Sequence, residues 1–342
     1  MLDSASSASM PAYMVEPIVF TLNVYAPSIV PYPTTHVRRW PLSVCSLGFG
    51  VAWRSSMPGV TRRAWMAAAL ANLAGCSALD VLNAVSKSDA SLPALGLAYG
   101  PHSRQRLDVY RPVRPMEGPP RAVVFFYGGS WRDGDRKDYA FVGEALAAAG
   151  ALAMVADYRL YPEVRYPDFL LDCAAATAFA RRWLDRQGHA GARLFVAGHS
   201  AGAYNAAMLA TDSRWLAAQG LHIETLSGWI GMAGPYNFLP IQAADVKPVF
   251  NHPNETADSQ PLFHVSQGWL PPALLLTGEH DAYVDVRRNT LSLAERLMEY
   301  RHPVELKVYP RLDHKTLVAA LASPLQFLGP VLSDVARFVA ST

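Results

Sequence analysis

The chain has 342 residues, 51% hydrophobic and 17% charged, with 30 Lys and Arg against 28 Asp and Glu. That is ample for one α/β domain of about 240 residues plus an extension, and a net charge of +2, without a basic helix, RNA-binding signature or internal repeat, leaves no electrostatic footprint for nucleic acid. Three cysteines, Cys45, Cys76 and Cys173, are too few for a disulfide framework and lack metal-ligand spacing, so neither a stapled scaffold nor a metal site is expected.

Residues 1–56 carry scattered prolines without clear periodicity and are expected to be a disordered leader or an upstream extension, with Met57 as a natural start. From there 57–76 reads as a signal peptide. Thr61-Arg62-Arg63 precede the apolar run at 64–71, and small residues lead out of it at Leu73-Ala74-Gly75-Cys76. The run is too short for a membrane span. Leu-Ala-Gly-Cys resembles a bacterial lipobox, and the paired arginines faintly resemble a twin-arginine signal. The resemblance implies a lipid on Cys76 and a membrane-anchored, periplasm-facing address in the cell envelope. The alternative is an N-terminal amphipathic helix docked on the domain of a cytoplasmic protein. Residues 77–94 then read as a linker, followed by one folded domain over 95–342.

Within that domain, strands are predicted at 104–110, 121–127, 151–157, 192–198, 226–232, 272–278 and 304–310. Helices are predicted at 138–149, 168–186, 201–211, 286–300 and 330–340. Alternation of this kind is the signature of an α/β fold, a mostly parallel central sheet with helices on both faces. The helix at 168–186 carries Phe169, Ala176, Phe179, Ala180 and Trp183 on one broad stripe, which burial against the sheet explains fully. Cys173 on the same helix reads as a small core residue.

Several strand ends carry chemistry. The strand at 121–127 runs into Tyr127-Gly128-Gly129-Ser130-Trp131, and the one at 192–198 into Gly198-His199-Ser200-Ala201-Gly202, after which AGAYNAAML continues as a small-residue helix. A serine Oγ is a poor nucleophile at neutral pH and must face a base and a carbonyl together. A strained strand-to-helix turn presents it that way, and glycines two before and two after keep side chains from colliding there. The pattern therefore predicts Ser200 as a nucleophile. Paired glycines leave backbone N–H groups uncovered, so Gly128 and Gly129 are candidates, with Ala201, for an oxyanion hole. Trp131 is a candidate wall of the adjoining pocket, or plain packing.

Downstream, the strand at 272–278 ends in Gly278-Glu279-His280-Asp281, and an acid at the C-terminal edge of a strand lies where open α/β sheets build their sites. Asp281 is the candidate that orients a histidine; Glu279 and Asp285 are rivals, with Asp285 reading as the cap of a helix from Val286. The strand at 304–310 is followed by a loop holding His314, the candidate general base, while His199, His280 and His302 read as bystanders. One long connection, 235–270, separates the strands at 226–232 and 272–278. Its Tyr236, Phe238, Val249, Phe250, Phe263 and Trp269 are aromatic enough to wall an acyl pocket, yet the segment is too short for a bulky lid domain. A short lid loop over a pocket for small or medium acyl groups is expected.

These motifs resemble the α/β-hydrolase superfamily, and within it the bacterial carboxylesterases related to hormone-sensitive lipase and kynurenine formamidase, with Ser, acid and His in that family's order. The resemblance runs from about Tyr99 to the C-terminus. Tyr99-Gly100-Pro101 with Arg106-Leu107-Asp108-Val109-Tyr110-Arg111-Pro112 is similar to the family's opening hairpin, and Asp157-Tyr158-Arg159-Leu160-Tyr161-Pro162-Glu163 to its segment before the elbow. Gly278, Asp281 and Val284 resemble its acid loop, which favours Asp281 over Asp285. The family usually has His-Gly-Gly where this chain has Tyr127-Gly128-Gly129, and Ser130-Trp131 replaces the third glycine of the lipase-type run. The resemblance thus implies an α/β-hydrolase catalytic domain over 95–342, with Tyr127 and Trp131 bearing on substrate preference.

The combined reading is a serine carboxylester hydrolase that cleaves small to medium acyl esters through a Ser200–His314–Asp281 triad and an acyl-enzyme, with no metal or organic cofactor. An arylformamidase-type amidohydrolase acting on an N-formylkynurenine-like amide would use the same machinery. A non-catalytic binding protein on a hydrolase scaffold is the alternative from another class, and a complete triad argues against it. The expected partner is a small-molecule ester, with Tyr127, Trp131 and Phe238 as candidate pocket residues.

Overall fold

The elements of this computed structural model, which describes residues 78–86 and 91–342, begin with a helix and three successive strands and then alternate each strand with one or two helices. The strands are β1 (Ser91–Ala98), β2 (Arg106–Pro112), β3 (Arg121–Phe126), β4 (Leu152–Ala156), β5 (Arg193–His199), β6 (Leu226–Met232), β7 (Ala273–Gly278) and β8 (Val304–Tyr309). They form one sheet in the order β1-β2-β4-β3-β5-β6-β7-β8. β2 is antiparallel to β1 and to β4, and every pairing from β4 to β8 is parallel. The helices are α1 (Ala78–Ser86), α2 (Ala140–Ala148), α3 (Asp168–Arg186), α4 (Ala201–Thr211), α5 (Ser213–Ala217), α6 (Pro261–His264), α7 (Ser292–Glu299), α8 (His314–Ala319) and α9 (Val331–Ser341).

The central strands have continuous apolar runs because both of their faces are covered. All five residues of β4 and all six of β7 are buried, whereas β1 and β8 at the two edges are largely part-exposed. Each fully buried Val, Leu or Phe adds about 1.5–3 kcal/mol relative to exposure, so the core is concentrated in the strands that carry the site. All eleven residues of α4 are buried as well, its alanines small enough for close packing and Tyr204, Met208 and Leu209 filling the space between them and the neighbouring elements. On α3 the expected stripe is buried at Phe169, Ala176 and Ala180, with Phe179 and Trp183 half-buried at its margin and Cys173 a free thiol in the core.

Three expectations need correction or bounding. The segment 77–94 is not a plain linker: it contains α1 and the first residues of β1, and Asn83 on α1 accepts from Phe141 N at 2.9 Å and donates to Lys137 O at 2.9 Å. β1 escaped prediction because Pro93 and Gly96 interrupt its pattern and, as an edge strand, it needs no buried face on each alternate residue. The leader 1–56, the signal segment 57–76 and Cys76 lie outside the described residues. Among the described residues, no helix is long and apolar enough to cross a membrane.

The connection 235–270 is pinned down. Asn289 Oδ1 accepts from the N–H groups of Tyr236 and Asn237, both at 2.8 Å, Gln260 Oε1 accepts from Phe238 N at 2.7 Å, and Tyr204 Oη donates to Ser259 O at 2.7 Å. Tyr236, Val249 and Phe250 are core residues, while Phe263 and Trp269 are exposed.

Candidate active site

The parallel strands bring their C-terminal ends to one edge of the sheet, where ligands of such sheets bind. Register sets the rest. Phe126 pairs with Gly198, so the residues leaving β3 emerge beside those leaving β5; Gly278 pairs with Tyr309, so the loops after β7 and β8 also lie together.

Ser200 sits at φ 54°, ψ −121°, a conformation strained for any residue with a Cβ. Strain of this kind costs about 1–3 kcal/mol and persists only when surrounding bonds over-determine it. Here Ser200 N donates to Met232 O at 2.8 Å, and Ser200 O accepts from Ala203 and Tyr204 at 2.9 and 3.1 Å. Gly202 lets the helix start against β3: a Cβ there would lie 1.9 Å from Phe126 O. The result is a half-buried serine at the tip of a strand-to-helix turn, as the motif predicts.

Asp281 and His314 meet. His314 Nδ1 lies 2.7 Å from Asp281 Oδ2, and Asp281 Oδ1 accepts from the N–H groups of Tyr283 and Val284 at 2.8 and 2.9 Å. The Asp281 side chain is fully buried. Burial pushes its pKa upward, but the His314 bond, the nearby imidazole and the two backbone N–H groups outweigh that, and the carboxyl titrates below the ordinary 3.8. An ionised carboxylate only accepts, so the Nδ1 of His314 must carry the proton and Nε2 is left with its lone pair. His314 opens α8, and its direction is set by a capping box in which Asp313 Oδ1 accepts from Lys315 N and Thr316 N while Thr316 Oγ1 accepts from Asp313 N at 2.8 Å. The two loops are stitched by Glu279 N to Tyr309 O at 3.0 Å. The rivals serve elsewhere: Asp285 caps the next helical segment through Arg288 N at 2.8 Å, and Glu279 is exposed.

His199 is not a bystander. Its Nε2 lies 2.8 Å from the carbonyl oxygen of His314, and the two rings are 4.8 Å apart. A carbonyl can only accept, so Nε2 is the protonated nitrogen. Burial, and then the neighbouring His314, lower the His199 pKa to about 3, which keeps the ring neutral. Nothing in the linear sequence marks this role, because the partner lies 115 residues away. Ser200 Oγ makes no hydrogen bond to His314 among the described residues in this conformation; catalytic bonds of this kind commonly tighten only with substrate bound.

Beside the serine runs the Gly128-Gly129 loop. A Cβ at Gly128 would lie 3.0 Å from Ser200 Cβ, which measures how closely the two backbones approach. The N–H groups of Gly129 and Ala201 donate to no acceptor among the described residues. Trp131 is buried, its indole Nε1 donating to Asn205 Oδ1 at 2.9 Å and its ring packed edge-on against Tyr204 and Phe250. Phe238 is half-buried, 6.1 Å from the Trp131 ring. Tyr127 does not line a pocket: its ring is wholly buried, stacked between Tyr139 and Tyr158, because it leaves β3 on the face covered by those residues. A cavity of about 450 Å³ adjoins Gly128 and Gly129 and is bordered by Leu79 of α1 and by Asp80, Asp133 and Asp138. A second cavity, of about 350 Å³ beside α9, contains none of these residues.

Among solved structures, esterase B from Lactobacillus rhamnosis superposes with a TM-score of 0.63 at 19% identity, covering 82% of this chain and 95% of that one. The esterase of Pyrobaculum calidifontis superposes at 0.60 with 23% identity, covering 77% and 89%. In sequence, the chain is 30% identical over 218 residues to esterase LipC of Mycobacterium tuberculosis, which is 58% of this chain and 53% of that protein. It is 29% identical over 143 residues to a probable isoprenylcysteine alpha-carbonyl methylesterase of Oryza sativa, 41% of this chain and 34% of that protein. The matches thus span about half or less of these relatives' lengths. Kynurenine formamidase of Salmo salar matches at 26% over 237 residues, 66% of this chain and 76% of that protein. Residues 123–318, more than half of the chain, match Abhydrolase_3, and the chain belongs to this alpha/beta hydrolase fold family.

Proposed function

We propose that the protein is a serine hydrolase of carboxylic esters with small to medium acyl groups. Ser200 Oγ attacks the ester carbonyl while His314 Nε2 takes its proton. The tetrahedral oxyanion accepts from the N–H groups of Ala201 and of Gly129 or Gly128, and Asp281 steadies the imidazolium that forms. His314 then returns the proton to the departing alcohol oxygen, leaving an acyl-enzyme on Ser200. Water, deprotonated by the same imidazole, releases the acid and restores the serine.

The observation that carries this reading is the 2.7 Å Asp281–His314 bond at the sheet edge that also holds the strained serine. Esterase and methylesterase relatives support the ester as the bond cleaved. The test is turnover of short p-nitrophenyl esters, where Ser200→Ala or His314→Ala should lose about 10⁶ in kcat. Near-normal turnover by either variant would sink the mechanism, and failure of a fluorophosphonate to label Ser200 would favour a non-catalytic scaffold. The formamidase relative keeps a second reading in view, that of an amidohydrolase acting on a formamide. The ratio of kcat/KM for a short ester to that for N-formylkynurenine separates the two. We further propose that 57–76 directs the protein to the cell envelope with Cys76 lipidated, a reading supported by the tripartite sequence pattern alone. An intact mass from the native host that retains residues 57–75 would rule it out.

A further inference from the structure

The loop from Tyr127 to Gly134 contains the glycines assigned above to the oxyanion, and four of its residues lie at positive φ: Gly129 at 130°, Ser130 at 53°, Trp131 at 57° and Gly134 at 107°. The glycines adopt such values freely, but Ser130 and Trp131 do not, and their conformations persist only when surrounding contacts over-determine them; within the loop Gly129 O accepts from Arg132 N and Asp133 N at 2.9 and 3.0 Å. Trp131 is tied to Asn205, but the two ends of the loop need a separate restraint.

Arg104, in the turn between β1 and β2, supplies it. Its Nη2 donates both to the Tyr127 hydroxyl and to Gly134 O, the latter at 2.7 Å, so one nitrogen joins the first and last residues of the loop. Its Nε donates to Tyr158 O at 3.0 Å, and the Tyr158 hydroxyl donates to Tyr127 O at 2.8 Å. The Tyr127 ring is stacked on Tyr158 at 4.9 Å and on Tyr139 at 5.7 Å, so the phenol cannot swing away from the guanidinium. Asp157, 3.9 Å from Arg104 Nη2, offsets the charge. The clamp is built on a planar fork with several donors at fixed angles, which a lysine ammonium does not reproduce.

We infer that Arg104 is a positioning residue for the oxyanion loop, acting through the Tyr127 hydroxyl and the Gly134 carbonyl. The inference rests on the ester-hydrolase reading and deepens it. Arg104 touches no substrate; it sets where the N–H of Gly129 points. Donors of this type act on the transition state far more than on the ground state, so disturbing the clamp should lower kcat and leave KM nearly unchanged.

The experiment compares the full-length wild-type protein with Arg104→Ala, Arg104→Lys, Tyr127→Phe and the Arg104→Ala/Tyr127→Phe double variant, using p-nitrophenyl butyrate and thermal melts. Arg104→Ala should lose about tenfold to a hundredfold in kcat with KM within about threefold of wild type. Millimolar guanidinium should restore part of that loss in Arg104→Ala and do nothing for the wild type, since the site vacated is part-exposed. Tyr127→Phe should also lose kcat, and the double variant should fall by less than the product of the two single losses, as expected for groups acting as one unit. A kcat for Arg104→Ala within about twofold of wild type would overturn the inference, as would a loss that tracks the melted fraction and is not rescued by guanidinium. If Arg104→Ala does not fold, Arg104→Lys and Tyr127→Phe decide it: wild-type kcat in both overturns the inference, and loss at unchanged KM supports it. A wild-type protein that neither hydrolyses the ester nor reacts with a fluorophosphonate is a different result, and it removes the underlying functional reading.

Discussion

His199, the residue just before the proposed nucleophile, donates from Nε2 to the carbonyl oxygen of His314 at 2.8 Å, so the elbow and the loop carrying the proposed base are joined by a buried hydrogen bond. Replacing His199 by Leu removes this bond between the elbow and the loop, worth about 0.5–1.5 kcal/mol, and frees the proposed base to drift. Since a misplacement of about 1 Å can cost 10²-fold in rate, His199→Leu should lower kcat for a short ester by at least about tenfold. His199→Gln, whose amide can reach the same acceptor, should recover part of the rate. Steady-state kinetics with a parallel thermal melt measure both effects, and a fully active His199→Leu would show that the bond does not position His314.

The same residue predicts an acid-sensitive stability. Folded His199 resists protonation down to about pH 3, whereas the unfolded residue takes up a proton near its ordinary 6.5. Between those values the unfolded chain binds more protons, so stability falls as pH falls through that window, by an amount on the order of a few kcal/mol in full. Asp281 acts in the same direction at lower pH: its carboxyl titrates below 3.8 in the folded state, so its contribution is complete above 3.8 and is lost as pH falls through the folded value. Melting temperatures measured from pH 7 to pH 4 should decline for the wild type and decline less for His199→Gln. Parallel curves would remove His199 as the cause.

Asp281 and Asp285 are four residues apart and are distinguishable by kinetics. Asp281→Asn should cost about 10⁴ in kcat, because an amide at that position no longer enforces the productive tautomer of His314. Asp285→Ala removes only a cap on Arg288 N, worth about 0.5–2 kcal/mol of stability, and should leave kcat near the wild-type value. An inversion of these two results would reassign the acid.

Gly202→Ala tests the elbow as a packing problem. The added methyl would meet Phe126 O at 1.9 Å and Tyr127 O at 2.6 Å, both backbone atoms that cannot swing aside. The helix must shift, at a cost of about 1–3 kcal/mol or more, and the serine shifts with it. Lower melting temperature and lower kcat are expected together; an unaltered melt would mean that the approach of α4 to β3 is looser than described.

Trp131→Phe removes the indole N–H that Asn205 accepts in a fully buried site. The unsatisfied amide oxygen should cost about 1–3 kcal/mol, read as a drop in melting temperature, while the aromatic packing against Tyr204 and Phe250 is largely kept. A variant as stable as the wild type would indicate that solvent reaches Asn205.

Much of the site could be read before any folding. Ser200 was marked by glycines at fixed offsets between an apolar strand and a small-residue helix, and Asp281 and His314 by their places just past two later strands. These are local signals: hydrophobic runs predict strands buried on both faces, and the turn chemistry at their ends is written within a few residues. The central strands were placed to within a residue or two for the same reason, whereas β1, an edge strand broken by Pro93 and Gly96, had no such pattern to offer.

What sequence alone determined, then, was which side chains could do chemistry and on which strand ends they stood. Which of those ends met, and what held them, was decided by the tertiary structure. Strand order put β3 beside β5 and β7 beside β8, turned Tyr127 from a candidate pocket wall into a buried support, and joined His199 to a partner 115 residues away and Arg104 to a carbonyl 30 residues away. Contacts of that kind leave no periodicity in the chain, because a hydrogen bond depends on where two backbones arrive in space and not on the residues that separate them.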